Sequence, residues 1–198
     1  MTTVNPRVTE FQCIMPLENI PSVMALGILS NERAAKVAHH SVALEVVQER
    51  RHQKQVPGAL KLHQYANLYF HARNPMLYKR KDAAASLCVL RVSREIWHIE
   101  GVIIADRNAS SDYVRFLHPS QEALLDYDAI YAVDWRHASD PIGYYRHRSQ
   151  KCAEVLVPHV VEPSYLMGAY AVDPSIAAKL KGAGFGLPVT IDPGMFFR

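Results

Sequence analysis

Four stretches of this sequence hold residue types able to do chemistry together. Glu154 opens the apolar run Cys152-Ala-Glu-Val-Leu-Val157, directly behind a basic, aromatic segment. A carboxylate there either faces a cleft or is a solvent-facing charge on an edge strand. Strand alternation separates the two readings: if Ala153, Val155 and Val157 face the core, Glu154 and Leu156 share the other face, and that face must be the cleft. Arg50 and Arg51 sit in the run Glu49-Arg-Arg-His-Gln-Lys54. A guanidinium here clamps phosphate bidentately, or it complements the dipole at a solvated helix end. The stretch Leu68-Tyr-Phe-His-Ala-Arg-Asn-Pro-Met-Leu-Tyr78 sets aromatic faces beside donors, as a planar heterocycle requires, or it is a core strand entering an Asn-Pro turn. Residues 134–150 combine Trp135, Tyr144 and Tyr145 with Arg146, His147 and Arg148, followed by Lys151. Stacking rings beside cations suit single-stranded nucleic acid.

Elements of both kinds must position these groups. Apolar runs predict strands over 11–15, 66–70, 86–92, 102–105, 130–133, 153–157 and 165–172. Helical spacing of Leu17, Ile20, Val23 and Met24 predicts a helix capped by Gly27. Residues 31–51 have good helix propensity and stop before Val56-Pro57-Gly58, and helical turns are expected over 120–125. Residues 75–81 carry one apolar and one basic face. The stretch 134–150 reads as a long functional loop. Strands and helices mix without regular β-α alternation, so the expected class is α+β.

The chain has 198 residues, 49% hydrophobic and 21% charged, with 22 basic against 19 acidic side chains. This length fits a single domain over 1–198, and the balance excludes long disorder and collagen-like repeats. A net charge of +3 means that any basic surface is local. Cys13, Cys88 and Cys152 form no C-x-x-C pair, so a disulfide framework or zinc knuckle is not expected. Adjacent helical residues such as His39 and His40 point about 100° apart, and no metal is expected. The opening Met-Thr-Thr-Val-Asn-Pro-Arg has no leader pattern, and no apolar stretch approaches membrane-spanning length; a cytoplasmic setting is expected. Phosphate-loop, dinucleotide-fold, zinc-protease and hydrolase motifs do not occur.

Five stretches in order carry a resemblance. Cys13-Ile-Met-Pro-Leu-Glu-Asn-Ile20, Arg50-Arg51 before Val56-Pro57, the segment Tyr69 to Tyr78, Asp106-Arg-Asn-Ala109 with Arg115-Phe116 after it, and Ala153-Glu-Val-Leu-Val157 together resemble the DarT family of DNA ADP-ribosyltransferase toxins. The resemblance implies an ADP-ribosyltransferase-like split mixed β-sandwich with helices. It also implies transfer of ADP-ribose from NAD to a thymine or guanine base of single-stranded DNA, with release of nicotinamide. On that resemblance Glu154 is the catalytic glutamate and Arg51 the arginine near the NAD phosphates. Cys13, Ile14, Met15, Asn19, Arg51, Tyr69 and Phe70 would surround NAD; Arg73, Met76, Asn108, Trp135, Tyr145, Arg146 and Arg148 would meet DNA. The implied partner is an ADP-ribose-removing antitoxin, commonly a macrodomain protein. Where relatives carry a His-x-Thr pair in the first strand, this chain has Cys13 and Met15, which leaves the backbone around Ile14 to bind the carboxamide. Two other functions fit: a catalytically weakened nucleic-acid-binding relative, and an ADP-ribosyltransferase acting on protein.

Overall fold

A computed structural model of the chain describes residues 5–41 and 45–197. Ten strands form: β1 (Glu10–Pro16), β2 (Ile28–Leu29), β3 (Tyr65–Tyr69), β4 (Leu87–Ser93), β5 (Ile103–Ala105), β6 (Phe116–Leu117), β7 (Glu154–Pro158), β8 (Val160–Val161), β9 (Leu166–Ala171) and β10 (Val189–Ile191). The α-helices are α1 (Ile20–Leu26), α2 (Asn31–Ala34), α3 (Glu45–His52), α4 (Pro75–Tyr78), α5 (Tyr127–Tyr131), α6 (Pro141–Gln150) and α7 (Pro174–Gly182). Eight strands make one sheet in the order β10-β9-β4-β1-β3-β7-β5-β6, while β2 and β8 make a separate ladder. Only β10 pairs in parallel, with β9.

β1 is buried along its whole length and pairs with β4 over seven register positions. With β3 it shares a single register pair, Gln12 with Tyr69. The sheet therefore splits between β1 and β3 while remaining continuous through β3, β7 and β5. Phe11 of β1 anchors one side of the split, stacked on Trp97 and edge-on to Phe70 at centroid distances of 5.3 and 5.4 Å. Gly27 ends α1 with φ +82°, and a Cβ there would lie 2.2 Å from the Val161 carbonyl oxygen. Glycine thus allows the β2–β8 ladder to close against the helix end.

The mixed sheet and its helices agree with the expected α+β class. Two local expectations are corrected. Residues 130–133 do not form a strand: Asp126 caps α5 by accepting from the Ala129 amide at 3.0 Å, and Tyr127 and Ile130 form the buried helical face. Residues 134–150 are not one loop either, because α6 occupies 141–150. Asp140 accepts from the Gly143 amide at 2.9 Å, and Pro141 takes the first turn, where its missing N–H costs nothing. No residue of α6 is buried, so there was no apolar stripe to announce it. Within 31–51 the helical residues fall in α2 and α3; residues 42–44 of that expected segment, and 1–4 of the opening, lie outside the described residues.

Candidate active site

Glu154 begins β7, a central strand, in register with Tyr69 of β3 and Ala105 of β5. It is 1% exposed, which removes the edge-strand reading. Val155 and Val157 face the main core, whereas Leu156 packs with Val56, Leu62 and Tyr65 and Glu154 lines a cleft on that other face. The alternation expected from sequence holds.

A charge this deep must be paired. Arg51, in the last turn of α3, donates from Nη1 to both carboxylate oxygens, at 2.9 Å to Oε2 and 3.2 Å to Oε1. The backbone amide of Ala109 donates to Oε1 at 3.0 Å. Arg51 Nη2 is buried and has no acceptor among the described residues. A guanidinium donor costs free energy when unpaired.

The cleft holds about 850 Å³ and opens where β1 and β3 diverge, a volume suited to a dinucleotide-sized molecule. Its floor comprises Cys13, Ile14, Asn67, Tyr69, Cys152 and Glu154. Burial, then the Glu154 charge, pushes the Tyr69 phenol well above its ordinary range, so it remains a proton-bearing donor. Burial also pushes the Cys13 and Cys152 thiols up to about 12. Neither is a thiolate at neutral pH, and neither is a nucleophile.

One wall is a helical face made by Ile142, Tyr145, Arg146 and Ser149 of α6, with Arg148 beside it. Residues of the loop 107–113, which abuts α6, and Pro75, Met76 and Lys79 also line the cleft. A second cavity of about 180 Å³ adjoins the first along Cys13, Ile14, Gln48 and Asn67 and adds Met15, Asn19, His39 and His40. Asn19 fastens its rim: its Nδ2 donates to the His40 carbonyl and its Oδ1 accepts from the His40 amide, both at 2.8 Å.

Most residues singled out from sequence therefore converge. Cys13, Ile14, Arg51, Tyr69, Met76, Asn108, Tyr145, Arg146, Arg148 and Glu154 line the main cleft, while Met15 and Asn19 line its neighbour. Three lie elsewhere. Phe70 points to the opposite face of β3 from Tyr69, into the aromatic core with Phe11, Trp97 and Tyr127. Arg73 donates to the Phe196 carbonyl at 2.8 Å and covers the Phe197 ring. Trp135 is 8% exposed and packs edge-on against Tyr78 and Phe197, so its ring is not a free stacking surface. Lys151 is also withdrawn from the surface, donating to the Ile130 carbonyl and to His71 Nδ1, each at 2.8 Å.

The sequence reading missed Gln48, Asn67, Tyr113 and Ile142. Asn67 was accessible through alternation, two residues from Tyr69 on one strand face. Ile142 became visible only once 141–150 was a helix, because 142, 145, 146 and 149 then share a face. Among the described residues no group of three or more His, Cys, Asp or Glu side chains could hold a metal ion. No described helix is long and apolar enough to cross a membrane.

Residues 13–197 match the family model described as "DarT: ssDNA thymidine ADP-ribosyltransferase, DarT". A DNA ADP-ribosyl transferase–DNA ADP-ribosyl glycohydrolase fusion protein of Thermosipho africanus (strain H17ap60334) is 31% identical over 97% of this chain and 50% of its own length; the chain spans half of that relative. A DNA ADP-ribosyl transferase of Thermus sp. (strain 2.9) is 30% identical over 79% of this chain and 78% of its own. Among solved structures, Thermosipho africanus DarTG in complex with ADP-ribose superposes with TM-score 0.82 at 26% identity, over 95% of this chain and 51% of that one. Thermus sp. 2.9 DarT in complex with ADP-ribosylated ssDNA gives 0.85 at 24% identity over the whole of both chains. Its complex with NAD+ gives 0.80 at 22%, over 98% of this chain and 100% of that one. The split mixed sheet is thus the fold of these ADP-ribosyltransferases.

Proposed function

The chain belongs to the DarT family, and from that premise we propose that it is an NAD-dependent ADP-ribosyltransferase acting on a thymine base of single-stranded DNA, with residues 1–198 working as one domain in the cytoplasm. The family's description names thymidine, which favours thymine over guanine. One observation carries the reading: a fully buried carboxylate, Glu154, is held by Arg51 and a main-chain amide at the floor of a cleft of about 850 Å³.

In the reaction, the bond between the nicotinamide nitrogen and the ribose anomeric carbon breaks, and its electron pair leaves with nicotinamide. A ring nitrogen of the base forms the new bond and loses its proton. Positive charge builds on the ribose in between. Glu154 is an anion fixed in advance at a site shielded from water, so it stabilises that charge without reorganising. Its oxygens already accept from Arg51 and Ala109, an arrangement that suits the electrostatic role and also leaves a lone pair on Oε2 to take the proton of the base. Arg51 orients the carboxylate through Nη1 and lines the cleft that takes the dinucleotide. Tyr145, Arg146 and Arg148 supply a stacking face and cations for the strand, and Met76 and Asn108 lie at the same mouth. Cys13 and Met15 bring no strong donor, so Ile14 main-chain groups carry recognition of the carboxamide. An unpaired strand avoids the few kcal/mol of base extrusion, which predicts slower reaction of duplex DNA.

The glycohydrolase half of the Thermosipho relative supports an ADP-ribose-removing antitoxin as the partner. The test incubates the protein and NAD with thymine-only and guanine-only oligonucleotides, following nicotinamide and the mass of the base. We expect labelling of the thymine strand, and a fall of about 10²–10³-fold in kcat for Glu154→Gln with NAD still bound. Labelled protein without labelled DNA, or full activity in the variant, would sink the assignment.

A further inference from the structure

The amide that meets Glu154 belongs to a loop with its own buried anchor. Asp106 directly follows Ala105, the register partner of Glu154, and is 4% exposed. Its carboxylate accepts from Arg107 Nε and Nη2, both at 3.1 Å, and from the amide and Nε of Arg115 at 3.0 and 2.8 Å. The Asp106 amide in turn donates to the Arg115 carbonyl. Burial works against the ionised carboxyl, but the Arg107 and Arg115 bonds outweigh it and hold the group below its ordinary range. Asp106 and Arg115 thereby form the neck of the loop 106–115.

Beyond the neck the loop is tied to two neighbouring elements. The Asn108 amide donates to the Ser149 carbonyl of α6 at 2.9 Å, and Lys54, just past α3, donates to the Ser111 carbonyl. Asn108 Oδ1 stiffens the turn by accepting from the amide and hydroxyl of Ser110 at 2.9 and 2.7 Å. Ala109, fully buried between these contacts, donates to Glu154. The direction of a main-chain N–H is set by the backbone alone, and here the β5–β6 ladder closes the neck at Ala105 and Phe116 while the Asp106 carboxylate holds the residues just beyond it.

We propose that Asp106 is a positioning residue for Glu154, acting through the Ala109 amide: with Arg107 and Arg115 it closes the loop that aims this donor at the carboxylate. The proposal rests on Glu154 being the group that serves the reaction above. Asp106 itself touches no reacting atom; its loss lets the loop drift, and Glu154 loses one of the two groups that fix its oxygens.

The test uses the full chain and two readouts. In 1H–15N spectra the Ala109 amide proton lies downfield because it donates to a carboxylate. Asp106→Ala moves it upfield, the direction in which Glu154→Gln also moves it. In single-turnover nicotinamide release with a thymine-containing single strand, Asp106→Ala slows the rate by about ten- to a hundredfold, the scale of a reacting group misplaced by about 1 Å. The fraction of enzyme that reacts and the Kd for NAD stay as in wild type, whereas a purely structural role would lower the reacting fraction. Arg115→Gln, at a side chain 55% exposed, gives the same changes at smaller size and serves if Asp106→Ala does not fold. An unmoved Ala109 signal, or a loss confined to the reacting fraction, overturns the proposal. If wild-type protein releases no nicotinamide while the Ala109 signal moves as described, the reaction assigned above falls and the coupling of Asp106 to Glu154 stands.

Discussion

Glu154 and Arg51 are 103 residues apart in sequence and joined by a 2.9 Å contact in a place water does not reach. Removing either charge leaves the other buried and uncompensated, which typically costs about 3–5 kcal/mol; Glu154→Gln shares that cost but keeps the side-chain volume and an acceptor oxygen for Arg51, so it is a better probe than truncation, which adds a cavity. A second buried cation stands three residues before Glu154. Lys151 donates to His71 Nδ1, which requires a neutral imidazole. Burial, then the Lys151 and Arg73 charges, hold His71 down to about 4 from 6.5, and burial holds Lys151 down to about 8 from 10.5. In both cases the unfolded chain binds more protons than the folded one within the window between the two values. The stability tied to His71 is complete above pH 6.5 and is lost as pH falls toward 4, while the Lys151 term favours folding increasingly as pH climbs from 8 to 10.5. Thermal unfolding midpoints should therefore drop between pH 6.5 and 4, and His71→Gln should flatten that limb. The inward turn of Glu154 toward the cleft was legible because period-two alternation is a local property of 153–157. Its pairing with Arg51 was not, since nothing near either residue encodes which strand lies next to which.

Strands were easier to read than helices, for a physical reason. β1, β3, β4, β7 and β9 are buried on both faces or on alternate residues, and such runs show in the sequence. α6 has no buried residue and is specified by its start alone, Asp140-Pro141. Missing it concealed a wall of the site, because Ile142, Tyr145, Arg146 and Ser149 form a surface only at helical pitch. Trp135 was misplaced for the related reason that an aromatic ring in a polar stretch can turn inward, here onto Tyr78 and Phe197. At this scale the rim 35–41 gives a prediction. Asn19→Ala removes both part-buried bonds to His40, at a cost of about 0.5–1.5 kcal/mol each. The loosened rim should raise the KM for NAD severalfold while kcat at saturation changes little, as NAD titrations of nicotinamide release will measure. Unchanged KM would detach this rim from NAD binding.

For the molecule as a whole, a charge of +3 is too small for indiscriminate attraction to polyanions, so binding depends on where the cations stand. Lys79, Arg107, Arg146 and Arg148 ring one mouth. Binding of a single strand should weaken with salt, and Arg146→Ala should lower the slope of log K against log salt by about 0.7, the share of one phosphate contact. A slope untouched by that change would move the strand elsewhere. The wide sequence gap between the guanidinium and the acid has a temporal consequence. A ribosome delivers Arg51 early, but the strand bearing its counter-charge emerges only after β3 and β5 are already available to receive it. No chain that stops short of Glu154 holds both charges. The pair closes only when β7 takes its place between β3 and β5, so under the proposed function synthesis itself delays the first exposure of DNA to the product.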